Sequence, residues 1–128
     1  MGETFKAIPI LRIFDEVRAK EFYLGFLGCA LDWEHRFEPD APLYMQVSRG
    51  DLVLHLSEHH GDCCPGACIY VRTTGLTALH REITAKGYRH NRPGIEATSW
   101  GSRMMQVTDP FNNNLRFDEA GAPPDDAG

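Results

Sequence analysis

His59, His60, Cys63, Cys64 and Cys68 place five possible metal ligands or nucleophiles within ten residues, HHGDCCPGAC. A structural zinc site wants paired donors in CxxC or HxxxH register, and this run has neither. It reads as a polar loop joining two halves of the chain. Nucleophilic chemistry at Cys63 or Cys64 would need a base held in triad geometry, which the spacing does not provide. No Gly-rich phosphate loop is present. His55 lies between leucines in LVLHLS, where it is either a satisfied histidine of the fold or a group that touches a ligand. Arg116, in NLRF, can grip an anionic group or pair with a nearby carboxylate. Trp33, Phe37, Tyr44, Tyr70 and Trp100 are the aromatic side chains that could wall a small-molecule site; core packing is the competing use for each. Trp100 stands first, because it adjoins Gly101 in a stretch of small polar residues. Strand parity sets Trp33, His35 and Phe37 on one side and Asp32, Glu34 and Arg36 on the other.

The elements that must carry these residues come in two similar runs. Residues 7–13, AIPILRI, form an apolar strand. Asp15 can cap a helix whose face is Ala19, Phe22, Tyr23, Phe26 and Leu27, closed by Gly28. Strands follow at 30–37, 43–48 and 51–57, the last two joined at Arg49-Gly50-Asp51. The order then restarts with a strand at 67–72. Thr73 or Thr74 can cap a second helix with buried face Leu76, Leu79, His80 and Ile83, closed by Gly87. Strands are predicted at 88–92, 103–108 and 114–118, with a turn at 109–113. The two glycine stops are 59 residues apart, and each half is too small to bury both its helix and its sheet. The pattern is βαβββ twice, an α+β chain. One domain over residues 1–118 is expected, with modules at about 5–58 and 66–118 and a disordered acidic tail at 119–128.

The 128 residues are 42% hydrophobic and 24% charged, which excludes a fibrous or wholly disordered chain. The net charge is −5. Residues 1–64 hold 11 acids against 6 bases, and residues 65–117 hold 7 bases against 3 acids. That opposition fits head-to-tail pairing within or between chains; scattered solvated charge is the alternative. Without a Lys/Arg cluster, no nucleic-acid partner is expected. No stretch reads as a signal peptide or membrane span, and Cys29, Cys63, Cys64 and Cys68 make a poor disulfide framework, so the expected setting is the cytoplasm.

Several short motifs, in order, resemble the glyoxalase, bleomycin-resistance and extradiol-dioxygenase superfamily, the vicinal-oxygen-chelate group. They are Ile10-Leu11-Arg12-Ile13-Phe14-Asp15, then Phe22-Tyr23 through Phe26-Leu27-Gly28, then Leu76 through Ala85-Lys86-Gly87. Trp100-Gly101, Asp109-Pro110 and Asn114-Leu115-Arg116-Phe117 complete the set over residues 7–118. Asn112 stands where the family usually has glycine, and Thr74-Gly75 where its second helix usually opens with acids. The resemblance implies a curved mixed sheet around a cleft, and a homodimer with ligand grooves at its interface. It maps the superfamily's four metal-ligand positions onto Ile8, His55, Cys68 (or Ala67) and Arg116. Isoleucine has no donor and a guanidinium repels a cation, which leaves His55 as the main remnant ligand with Cys68 beside it; two ligands rarely hold a metal against water, so no metal or other cofactor is expected. The branch resembled most is the bleomycin-resistance type, which neutralises a drug by binding it. The implied function is metal-independent binding of an aromatic or cationic small molecule by Trp33, Phe37, Tyr44, His55, Tyr70, Trp100 and Arg116, aided by Glu34, Glu38 and Glu58. A metal-dependent lyase, isomerase or dioxygenase is the alternative, and a ligand-free accessory domain a third possibility.

Overall fold

A computed structural model describes residues 2–121. The chain divides into two compact units, meeting in sequence at Ala67 and Cys68, and each repeats the order strand, helix, three strands. The α+β class and the βαβββ repeat are therefore as expected.

In the first unit, β1 (Ile10–Arg12) pairs in parallel with β4 (Leu52–Ser57), which pairs with β3 (Leu43–Arg49) and that with β2 (Ala30–Arg36). β1 is shorter than predicted, although the Pro9 carbonyl still accepts from the His55 N–H. The Asp15 side chain accepts from the Arg18 N–H and opens α1 (Glu16–Lys20). The helix continues through Glu21–Phe26 in wider π-type turns. Ala19, Phe22, Tyr23, Phe26 and Leu27 are all buried, along with Leu11, Leu43, Met45, Val47, Leu54 and Leu56 of the sheet. Alternation therefore gives the sheet one apolar core face. The other face carries Trp33, Tyr44, Gln46 and His55.

The second unit has β5 (Cys68–Arg72), α2 (Leu76–Ala85), β6 (Glu96–Ala97), β7 (Ser102–Thr108) and β8 (Asn114–Ala120), in the sheet order β5-β8-β7-β6. Leu76, Leu79, Ile83, Met105, Val107, Leu115 and Phe117 are buried, while His80 is only half-buried and its Nε2 meets the Pro93 carbonyl. Gly28 and Gly87 both take positive φ (78° and 66°), the left-handed step with which a helix stops. Asn112 does likewise at 69°, so the turn survives without glycine.

Four expectations need correction. The strand expected at 88–92 is absent; the chain turns at Arg89-His90, and the edge strand is the two-residue β6. Pro93 has no N–H to give a ladder, which moves pairing downstream. Thr73 and Thr74 do not cap α2. Gly75 is the cap residue, and the Glu119 carboxylate accepts from the Gly75 and Leu76 N–H groups instead. Third, β8 runs to Ala120, because Ser102 pairs with Ala120 and Arg103 with Glu119; residues 122–128 of the expected tail lie outside the described residues. Fourth, Asp32 does not alternate away from Trp33. Leu31 faces Val47 and Trp33 faces Gln46, leaving Asp32 as a β-bulge. Among the described residues, no helix is long and apolar enough to cross a membrane.

Candidate functional site

Within the first unit, ladder register brings Trp33, Tyr44 and His55 together on the face away from the helix. Gln46 is the shared neighbour: it stands opposite Trp33 on one side and His55 on the other. The Trp33 and Tyr44 rings lie nearly parallel, 6.0 Å apart at 8°. His55 stands edge-on to both, at 5.3 Å and 5.2 Å. The Tyr44 hydroxyl lies 2.7 Å from His55 Nδ1, and Gln46 Oε1 lies 3.0 Å from His55 Nε2. Gln46 Nε2 donates to Asp32 Oδ2 at 3.0 Å, and Ser48 Oγ to Asp32 Oδ1 at 3.0 Å. Those two hydrogen bonds, Gln46 first, hold the Asp32 carboxyl below its ordinary range, so it is ionised at neutral pH. Burial raises the Tyr44 phenol, with Asp62 and Cys63 adding to the effect, so it is neutral.

This geometry leaves His55 poorly suited to hold a metal. One ring nitrogen of a neutral imidazole carries the proton and the other the lone pair, and both are engaged. Ile10, rather than Ile8, is its register partner on β1, and neither residue has a donor. In the second unit Arg116 faces Tyr70, and Cys68 faces Asn114. Within each unit the mapped positions supply at most one donor side chain, His55 in the first and Cys68 in the second. All four cysteines are free thiols, and among the described residues no group of three or more His, Cys, Asp or Glu is arranged to hold an ion. Burial, then Asp62, pushes the Cys63 thiol up, which disfavours the thiolate a nucleophile needs.

The second unit builds a matching cluster on its own open face. Asp118 on β8 and Trp100 both act on the Tyr70 phenol of β5, Asp118 raising it and Trp100 lowering it. Ser102 Oγ donates to Asp118 Oδ1 at 2.5 Å. Asp118 is lowered by Ser102 first and Tyr70 second, while Tyr70 is raised chiefly by Asp118. Trp100 is 64% exposed. Its ring borders a hollow of about 420 Å³ whose wall includes Glu96, Thr98, Met104 and Gln106. Gln106 Oε1 accepts from Arg116 Nε at 2.9 Å. Arg116 is exposed, and among the described residues no carboxylate pairs with it.

Trp33, Tyr44 and His55 are therefore brought together in one unit, and Tyr70, Trp100 and Arg116 in the other. Phe37 is not: it lies past the end of β2, 82% exposed, outside both clusters. Nor do the expected carboxylates gather at the aromatic rings. Glu34 pairs with Lys20, and Glu58 accepts from the Leu43 N–H and lies 3.8 Å from Arg36. Asp32, Gln46, Asp118 and Ser102 were missed. Parity assigned Asp32 to the wrong face, and no local signal marks the bulge that returns it.

The sequence matches the family described as "Glyoxalase superfamily protein" over residues 2–122. No curated protein matches it. Among solved structures, it is similar to the bleomycin-binding protein of bleomycin-producing Streptomyces verticillus in complex with copper(II)-bleomycin. The identity is 26%, the TM-score 0.68, and the match covers 95% of this chain and 100% of that one. A bleomycin-binding protein complexed with bleomycin gives 24% identity and a TM-score of 0.72 over 91% and 98%. The bleomycin resistance determinant encoded on transposon Tn5 gives 24% and 0.69 over 93% and 100%.

Proposed function

The chain belongs to the glyoxalase superfamily, and on that footing we propose that it is a metal-independent binding protein that sequesters an aromatic, cationic small molecule such as a bleomycin-type drug. One observation carries the reading. His55, the only donor left at the mapped metal corners of its unit, spends both ring nitrogens on Tyr44 and Gln46. Among the described residues, no group of three or more His, Cys, Asp or Glu is arranged to support Lewis-acid isomerase or dioxygenase chemistry. What remains is binding equipment: oriented aromatic rings, a neutral phenol and a guanidinium. The likeness at 26% identity to a protein crystallised with copper(II)-bleomycin supports the drug class.

In this reading Trp33, Tyr44, His55, Tyr70, Trp100 and Arg116 contact the ligand, with Phe37 an exposed flank. The protein acts in the cytoplasm, consistent with its four free thiols, as a single domain and a homodimer. β2, exposed along nearly its whole length at the edge of its sheet, supplies a surface for such pairing. Titrating metal-free bleomycin into protein held in chelator tests the proposal. Saturable quenching of tryptophan fluorescence is expected, and Trp100→Ala should weaken binding roughly tenfold. A flat titration contradicts it. One tightly held metal equivalent per chain, lost on His55→Ala, would favour the enzyme instead.

A further inference from the structure

The hydrogen bonds around His55 form one directed chain, and its direction follows from chemistry. Asp32 is a carboxylate whose two oxygens can only accept, and both are used. Gln46 must therefore turn its NH₂ toward Asp32 and its carbonyl oxygen toward His55. That carbonyl can only accept, so His55 carries its proton on Nε2. Nδ1 is then a bare lone pair, and the Tyr44 O–H donates to it. The phenol's hydrogen is committed inward, leaving the oxygen's remaining acceptor capacity unclaimed by any described residue. Without the Asp32 charge, a half-turn of the Gln46 amide gives the reverse chain. His55 would then donate from Nδ1 to Tyr44, and the Tyr44 hydroxyl would point outward as a donor. Nothing else in the cluster separates the two arrangements, because glutamine, histidine and tyrosine each both donate and accept.

We propose that Asp32 is a positioning residue which, through Gln46 and His55, fixes the Tyr44 hydroxyl as a hydrogen-bond acceptor toward ligand, so that this face selects aromatic molecules bearing a protonated nitrogen. The ligand class rests on the binding reading above; the direction of the chain does not. A donor on the ligand meets the Tyr44 oxygen while its ring lies against Trp33, 43% exposed and nearly parallel to Tyr44. A carboxylate would meet an oxygen that has no proton to offer.

The test has two parts on the whole protein. Long-range proton–nitrogen NMR correlations of the His55 ring should show a single tautomer, protonated at Nε2. In Asp32→Asn, which keeps shape but can both donate and accept, the Nδ1-protonated form should appear. A wild-type ring protonated at Nδ1, or a variant identical to wild type, overturns the proposal. Phenethylammonium and phenylacetate are then compared through the Trp33 indole signal. Wild type should favour phenethylammonium by about tenfold. Tyr44→Phe, which leaves every charge in place, should bring the ratio close to one. A ratio unchanged in Tyr44→Phe assigns the preference to the Asp32 charge alone and overturns the acceptor role. Equal response, no response or a preference for phenylacetate overturns the ligand class. Should bleomycin fail to bind while both results hold, sequestration falls and the positioning role stands.

Discussion

Tyr44 and Tyr70 lie on the open faces of their two sheets, in different surroundings. The Tyr44 hydroxyl is hydrogen-bonded to His55 Nδ1, whereas the Tyr70 phenol is raised chiefly by the Asp118 carboxylate. Tyr70→Phe should leave the fold intact and weaken bleomycin binding by roughly threefold, read by fluorescence titration. Asp118 has a pH signature. Its carboxyl is depressed by Ser102 and then Tyr70, so its contribution to stability is fully present above the unfolded value and is lost as pH falls through the folded one. Glu16, lowered chiefly by Lys20, and Glu119, lowered chiefly by Arg103, share that sign. Thermal midpoints should therefore fall below about pH 4. Asp118→Asn should flatten that slope, and an unchanged slope would refute the assignment.

At the scale of elements, the chain uses long-range substitutes where local signals fail. α2 opens at Gly75, with φ at 73° and no capping side chain of its own. The Glu119 carboxylate fills the role from β8 and is itself paired with Arg103, whose guanidinium also meets Thr77. A carboxylate at a helix N-terminus both accepts from free N–H groups and faces the positive end of the dipole. Glu119→Ala should cost about 1 kcal/mol and lower the thermal midpoint by several degrees, measured by circular dichroism. A variant as stable as wild type would show that the cap is unimportant. This arrangement explains what sequence reading could and could not supply. Asp15 is a local cap three residues from its partner, and it was legible. Glu119 is more than forty residues from the N–H groups it receives, and nothing in its surroundings marks it. The Asp32 bulge is invisible for the same reason: alternation assumes an unbroken ladder, and only pairing with β3 reveals the extra residue.

For the whole molecule, the repeat was the most readable feature, because hydrophobic period, glycine stops and turn chemistry agreed in both halves. Residues 88–97 were the least readable. Two prolines or glycines follow Asn91 closely, and the eventual strand has only two residues with little to bury. The same repeat explains why each unit carries a candidate cluster of its own, an open sheet face with a tryptophan, a tyrosine and a carboxylate. The central claim, that this equipment binds without metal and without turnover, is tested most directly by calorimetric titration of metal-free bleomycin into chelator-treated protein, followed by mass spectrometry of the recovered drug. A saturable isotherm with the drug returned unchanged in mass is expected. No heat of binding, or a drug altered in mass, would contradict the account.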